Sequence, residues 1–227
     1  LMPVTDYVTA VKLSADASML YVAKSTGVVE KWDVATQSLV ASADVGAPNG
    51  QGIYTLLLSP DGSTLWAVNA AYSQGGRVHE ITTATMAYVN PPGYGPFEDA
   101  YDAAMSPDGS QLFIVGASNG VVTRMATSNG AVSPFGTNFR NPDAIALSPD
   151  GATMLVGTGS SNPIAFFANS STGAVMANQT FFYYSLDSAA FNVTGSKAYM
   201  VGANYANGGV IVFDPATQTV TTEIPLE

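Results

Sequence analysis

The sequence predicts an all-β fold assembled from five copies of one four-stranded unit, and three observations carry that prediction. A short phrase recurs: Leu13-Ser-Ala-Asp-Ala17, Leu58-Ser-Pro-Asp-Gly62, Met105-Ser-Pro-Asp-Gly109, Leu147-Ser-Pro-Asp-Gly151 and a worn copy, Phe191-Asn-Val-Thr-Gly195. Its Ser or Asn anchors at 14, 59, 106, 148 and 192 stand 45, 47, 42 and 44 residues apart. Seven residues after each anchor comes a large apolar side chain: Tyr21, Trp66, Phe113, Leu155 and Tyr199. Between anchors the apolar runs are short and bounded by turn residues, as strands are.

Each element follows from local chemistry, most legibly in the second copy. Ile53–Leu58 is a continuous apolar run, which predicts a strand buried on both faces. Ser59-Pro-Asp-Gly62 is a tight turn, with proline presetting its second position and glycine tolerating positive φ. Thr64–Val68 is the next strand. Arg77–Ile81 alternates and forms a third, and Met86–Val89 a fourth. The last copy repeats the plan in Ala198–Val201, Val210–Phe213, the turn Asp214-Pro-Ala-Thr217, and Thr219–Ile224. Four-strand units of about 40–50 residues predict propeller blades. The expectation is a five-bladed β-propeller, four antiparallel strands per blade. It forms one domain over 1–227, with blades near 5–46, 47–92, 93–137, 138–181 and 182–227. Every blade is complete, so the ring closes by blade 1 packing on blade 5, or the chain is a stretch of a larger ring or assembly.

The Ser-Pro-Asp-Gly turns, the aromatic–Val/Ala strands and the phrases Asp33-Val-Ala-Thr36 and Asp214-Pro-Ala-Thr217 resemble the YVTN-type propeller repeats. That family includes surface-layer-like proteins and lactonase-like and quinoprotein-like relatives. The resemblance covers essentially the whole chain and implies the fold. It implies no single chemistry, because the family is functionally mixed.

Composition bounds the function. Seventeen acids against 7 bases give a net charge of −10, yet only 11% of residues are charged, where about 25% is usual. Ser, Thr, Asn, Gly and Ala take the place of charge, and that hydroxyl- and amide-rich surface points to an extracellular or cell-surface setting. The chain opens Leu1-Met-Pro-Val without a leader pattern, as a processed N-terminus or an excised domain would. The seven bases are scattered singly, so nucleic acid is a poor partner. No apolar run is long enough to span a membrane. Without cysteine there are no disulfides, thiolate metal sites or thiol nucleophiles.

The segments leading into the innermost strands converge at the channel mouth and supply the candidate site: Tyr7, Tyr54, Glu98, Asp99, Tyr101, Asp102, Asp143 and Asp187. Phe97, Tyr183 and Tyr184 add aromatics there. Counting back five from the anchors gives Thr9, Tyr54, Tyr101, Asp143 and Asp187, expected on one circle. Tyrosine faces beside acids suit a glycan or protein ligand. Asp102, Asp143 and Asp187 are candidate ligands for Ca²⁺ or another hard cation, though an Asp near a strand start also caps its own turn. No other cofactor is expected.

Catalysis has little support. His79, the only histidine, is expected to be a solvated residue of an outer strand, remote from the channel. Lactonase-like relatives use His, Arg and acids in the channel. Here no histidine lies there, and Arg140 is the only base in those loops, which argues against that activity. Paired carboxylates could still cleave a glycoside. Asp16, Asp61, Asp108 and Asp150 read as turn caps, Trp66 as core and Trp32 as half exposed. Asn169, Asn178 and Asn192 open glycosylation triplets at positions expected to be exposed, in no greater number than chance supplies. The expected function is a non-catalytic binding or assembly module. Its ligand is a protein, a glycan or another copy of itself. The alternatives are a glycoside or lactone hydrolase and a filament or array subunit.

Overall fold

The computed structural model describes residues 6–46, 52–69, 75–97, 100–116, 120–137, 139–159, 162–183, 185–203 and 208–226. Among them every regular element is a strand, and the strands form five antiparallel sheets in chain order. Sheet 1 holds β1 (Val8–Leu13), β2 (Met19–Lys24), β3 (Val28–Asp33) and β4 (Ser38–Asp44). Sheet 2 holds β5 (Ile53–Leu58), β6 (Thr64–Asn69), β7 (Gly76–Thr82), β8 (Ala87–Tyr88) and an added β9 (Tyr94–Phe97). Sheet 3 holds β10 (Ala100–Met105), β11 (Gln111–Gly116), β12 (Val121–Ala126) and β13 (Val132–Thr137). Sheet 4 holds β14 (Pro142–Leu147), β15 (Thr153–Thr158), β16 (Ile164–Asn169) and β17 (Val175–Thr180). Sheet 5 holds β18 (Ser185–Phe191), β19 (Ala198–Ala203), β20 (Gly208–Asp214) and β21 (Thr219–Leu226). The chain divides into two compact units, Leu1–Tyr101 and Asp102–Glu227.

Within each unit the sheets pack face to face, and the two-residue period of a strand decides which neighbour each side chain meets. In the first unit Tyr21, Ala23 and Val29 of sheet 1 share a core with Ile53, Leu65 and Ile81 of sheet 2. Sheet 4 shows the principle most plainly. Met154, Val156, Phe166 and Ala168 pack with Phe113, Val115 and Phe139 on the sheet 3 side. The alternate residues Leu155, Ala165 and Phe167 pack with Leu186, Met200, Ile211 and Phe213 of sheet 5. Ring contacts fix both faces, Phe139 against Phe166 at 5.5 Å and Phe167 against Phe213 at 5.4 Å, both edge-on.

This arrangement moves the doubly buried role to a different strand from the one expected. β5, the apolar run, is the terminal strand of its sheet and leaves Tyr54 44% exposed. The strand buried on both faces is the second, as in Leu65–Asn69, Leu112–Gly116 and Met154–Thr158. An interior strand has partners on both edges, and in sheet 4 a neighbouring sheet over each face, whereas a terminal strand is covered on fewer sides. In β19 only one face is covered, so Ala198 and Met200 are buried while Val201 is exposed. The fourth strands β4, β17 and β21 are mostly exposed and rich in Ser, Thr, Asn and Gln, which suits a wet edge.

The recurring turn is one hydrogen-bonded device. The anchor hydroxyl donates to the Asp Oδ1 in Ser14–Asp16, Ser59–Asp61 and Ser106–Asp108, each at 2.6 Å, and in Ser148–Asp150 at 2.5 Å. The same Oδ1 accepts the backbone N–H two residues on, from Ser18, Ser63, Ser110 and Ala152. Those bonds hold Asp16, Asp61 and Asp108 ionised down to a pKa of about 2. In the worn copy Asn192 substitutes, its Oδ1 accepting Lys197 N–H at 3.0 Å. A feature the motif does not announce locks the far side: Thr83 and Thr127 donate their hydroxyls to the carbonyls of Gly62 and Gly109, and Ser170 to that of Gly151.

The turn's last position lies in the left-handed region in every copy: φ is 72° at Gly62, 73° at Gly109, 71° at Gly151, 72° at Gly195 and 58° at Ala17. A Cβ there strains the backbone, and only the first copy carries one. Ala17→Gly is expected to stabilise the protein by about 1 kcal/mol, read as a higher urea midpoint. A lowered midpoint would contradict the assignment.

Candidate functional site

Four of the five positions that precede the anchors by five, Thr9, Tyr54, Asp143 and Asp187, are structurally equivalent in a way their spacing only hints at. Each of the four is the extra residue of a β-bulge between the first and second strands. Register shifts fall at Thr9 between Val8 and Ala10, at Tyr54 between Ile53 and Thr55, at Asp143 between Pro142 and Ala144, and at Asp187 between Leu186 and Ser188. A bulge re-aims one side chain out of the ladder, and bulges concentrate beside functional sites. Tyr101 is the second residue of β10 and half-buried. Tyr7 precedes β1 and is 84% exposed, its carbonyl held by Ser25 N–H at 2.9 Å.

The acids divide by what they touch. Asp102 accepts Ala103 N–H on Oδ1 at 2.8 Å and, on Oδ2, the N–H of Ile145 in the next sheet at 3.0 Å. Asp102 therefore ties sheet 3 to sheet 4. Asp143 is different: its Oδ1 is buried and, among the described residues, has no hydrogen-bond partner. Burial first, and the charge of Asp187 second, push its pKa up to about 6. Its carboxyl fits only because residue 159 is glycine, since a Cβ there would stand 1.4 Å from Asp143 Oδ2. Asp187 is exposed. Among the described residues no three His, Asp or Glu side chains are grouped to hold a metal, so Asp102, Asp143 and Asp187 are not brought together as a ligand set. Glu98, Asp99 and Tyr184 lie outside the described residues.

Several expectations change. Tyr94–Phe97, expected as part of a loop, is β9, and it pairs with the half of β7 that the two-residue β8 leaves open. Phe97 is buried there. Tyr183 is half-buried and donates to Glu223 at 3.3 Å. His79 is not solvated but 1% exposed. Asn69 Oδ1 already accepts Arg77 N–H, so His79 Nε2–H donates to that oxygen at 3.3 Å while Nδ1 accepts the Tyr88 hydroxyl at 2.8 Å. Burial, then Arg77, lowers the His79 pKa to about 4. Trp32 is 4% exposed rather than half exposed, because its Nε1–H donates to Glu30 at 2.9 Å. Glu30 in turn pairs with buried Lys24 at 2.5 Å, an ion pair with no motif to reveal it. Of the three Asn triplets only Asn178 is exposed. Asn169 and Asn192 are half-buried and cap turns through their amides.

His79 and Asp143 make opposite contributions to stability across one pH window. A histidine held near 4 against about 6.5 unfolded costs about 3 kcal/mol as pH falls from 6.5 to 4. A carboxyl held near 6 against about 3.9 unfolded opposes folding above pH 6, and that penalty, moderated by partial solvent screening, is relieved as pH falls to 4. Urea midpoints between pH 7 and 4 should therefore change little in the wild type. They should fall steeply on acidification in Asp143→Asn and rise in His79→Gln. Equal slopes in all three would contradict both environments.

No known family model matches the chain, and no curated protein matches it. Among solved structures it is similar to Kuenenia stuttgartiensis hydrazine synthase, with a TM-score of 0.83 at 17% identity over 99% of this chain and 68% of that one. At that identity the likeness is one of fold.

Proposed function

We propose that the chain is a five-bladed β-propeller of YVTN type acting without catalysis as an extracellular or cell-surface binding or assembly module, with a protein, a glycan or another copy of itself as ligand. Five consecutive four-stranded sheets, packed face to face within each unit, support the ring. The observation that carries the binding reading is the equivalence of the bulges. One re-aimed position displays Thr9, Tyr54, Asp143 and Asp187 in turn, a varied contact set on a repeated frame. The only histidine has both ring nitrogens occupied inside a core, and Asp102 is spent on two backbone amides, so neither is free to transfer a proton.

A second reading rests on Asp143. A carboxyl with a pKa of about 6 beside a second carboxylate is the pairing a glycoside hydrolase uses as acid and base. Nitrophenyl glycosides and simple lactones, assayed from pH 4 to 7 with the wild type and Asp143→Asn, separate the two. The module predicts no turnover by either protein. Turnover by the wild type that Asp143→Asn abolishes would replace it with the hydrolase.

A further inference from the structure

A cleft of about 440 Å³ opens in the second unit between the turn ends of sheets 3 and 4, at the opposite end of the strands from the bulges. That is the size range of small-ligand sites. Two departures from the repeat meet in its lining.

The first is Arg124. In the first four sheets the large residue seven after the anchor faces one residue of the third strand: Tyr21 faces Lys31, Trp66 faces Glu80, Phe113 faces Arg124 and Leu155 faces Phe167. Three of these partners are consumed by neighbouring groups. Lys31 Nζ crosses to the Thr83 carbonyl at 2.9 Å, Glu80 accepts the Tyr94 hydroxyl at 3.2 Å, and Phe167 stacks edge-on against Phe213. Arg124 instead lies over the Phe135 ring, 4.8 Å from its centroid, and among the described residues its N–H groups meet no acceptor. Ser170, the counterpart of Thr83, stands on the cleft wall without receiving it.

The second is Ala152. In three copies a serine two residues after the turn aspartate donates its hydroxyl to the outer oxygen, as Ser18 to Asp16 Oδ2, Ser63 to Asp61 Oδ2 and Ser110 to Asp108 Oδ2. The fourth copy has Ala152 there, so Asp150 Oδ2 has no such donor, and Asp150 lines the cleft. Gln111 and Ser171 add an amide and a hydroxyl to the same wall. A guanidinium and a carboxylate oxygen lining one polar cleft match vicinal hydroxyls, which accept from the first and donate to the second. One cation against Asp108 and Asp150 leaves the lining net negative, which disfavours phosphate, sulfate and uronate.

We propose that this cleft binds a neutral saccharide unit, with Arg124 donating to and Asp150 accepting from neighbouring hydroxyls. The site is separate from the bulge positions, so either assignment can fail without the other. The test is calorimetric titration of the full chain with glucose, galactose, mannose, maltose, cellobiose and lactose, alongside glucuronate and inorganic phosphate. At least one neutral sugar should bind saturably, and Arg124→Gln should weaken it at least ~10-fold, as loss of a charge-assisted hydrogen bond does. Ala152→Ser restores the turn of the other copies, so it is fold-safe. It should weaken binding by covering Asp150 Oδ2. No binding by any neutral sugar at about 20 mM, well above a millimolar Kd, would overturn the proposal. So would binding that neither variant changes, or tighter binding of glucuronate or phosphate than of every neutral sugar.

Discussion

The structure depends on burying the second strand of a sheet on both faces, as β6, β11 and β15 are buried and as sheet 4 shows between its two neighbouring sheets. A strand in that position has no solvent-facing side, so its side chains must be apolar or internally satisfied at every residue. Leu65–Val68, Leu112–Val115 and Met154–Val156 meet that demand with aliphatic and aromatic groups. Each fully buried large side chain contributes on the order of 1.5–3 kcal/mol, and the alternation along one strand divides that contribution between two interfaces. Phe166 and Phe167 are adjacent in sequence yet belong to different cores. The third strands share this constraint in weaker form, and the fourth strands escape it, which is why hydroxyls and amides collect there.

The turns serve that burial. A first strand must reverse into a second without leaving an amide unpaired, and the Ser–Asp pair supplies both the acceptor and its own orientation. Because the device is local and identical, single departures from it stand out as chemistry. Ala152 for serine and Arg124 for a consumed partner are such departures, and they share one cleft. Asp143 is another: a carboxyl at a bulge, seated over a glycine, with one oxygen left without a donor among the described residues.

What the sequence disclosed was whatever a turn or a two-residue period imposes. The strands of the second and fifth copies follow from apolar runs between Gly and Pro, and the turn aspartates from their fixed offset to serine. It did not disclose contacts made at a distance. His79 sits in an alternating strand flanked by Val78 and Glu80, which reads as a solvated outer strand. It is buried because β8 is short and the chain returns as β9, a segment whose Pro and Gly content reads as loop. Trp32 and Lys24 read as surface residues because nothing local shows that Glu30 joins them in one buried group. The candidate site was legible as a recurring offset, and its physical cause, the bulge, was not, since a bulge is defined by its partner strand.

Backbone amide hydrogen exchange measures the central claim most directly. Amides of β6, β11 and β15 should be the slowest in the protein, opening only with global unfolding. Those of β4, β17 and β21 should exchange through local fraying, several orders of magnitude faster. Second strands that exchange as fast as the fourth would show that burial between sheets is not what holds the fold.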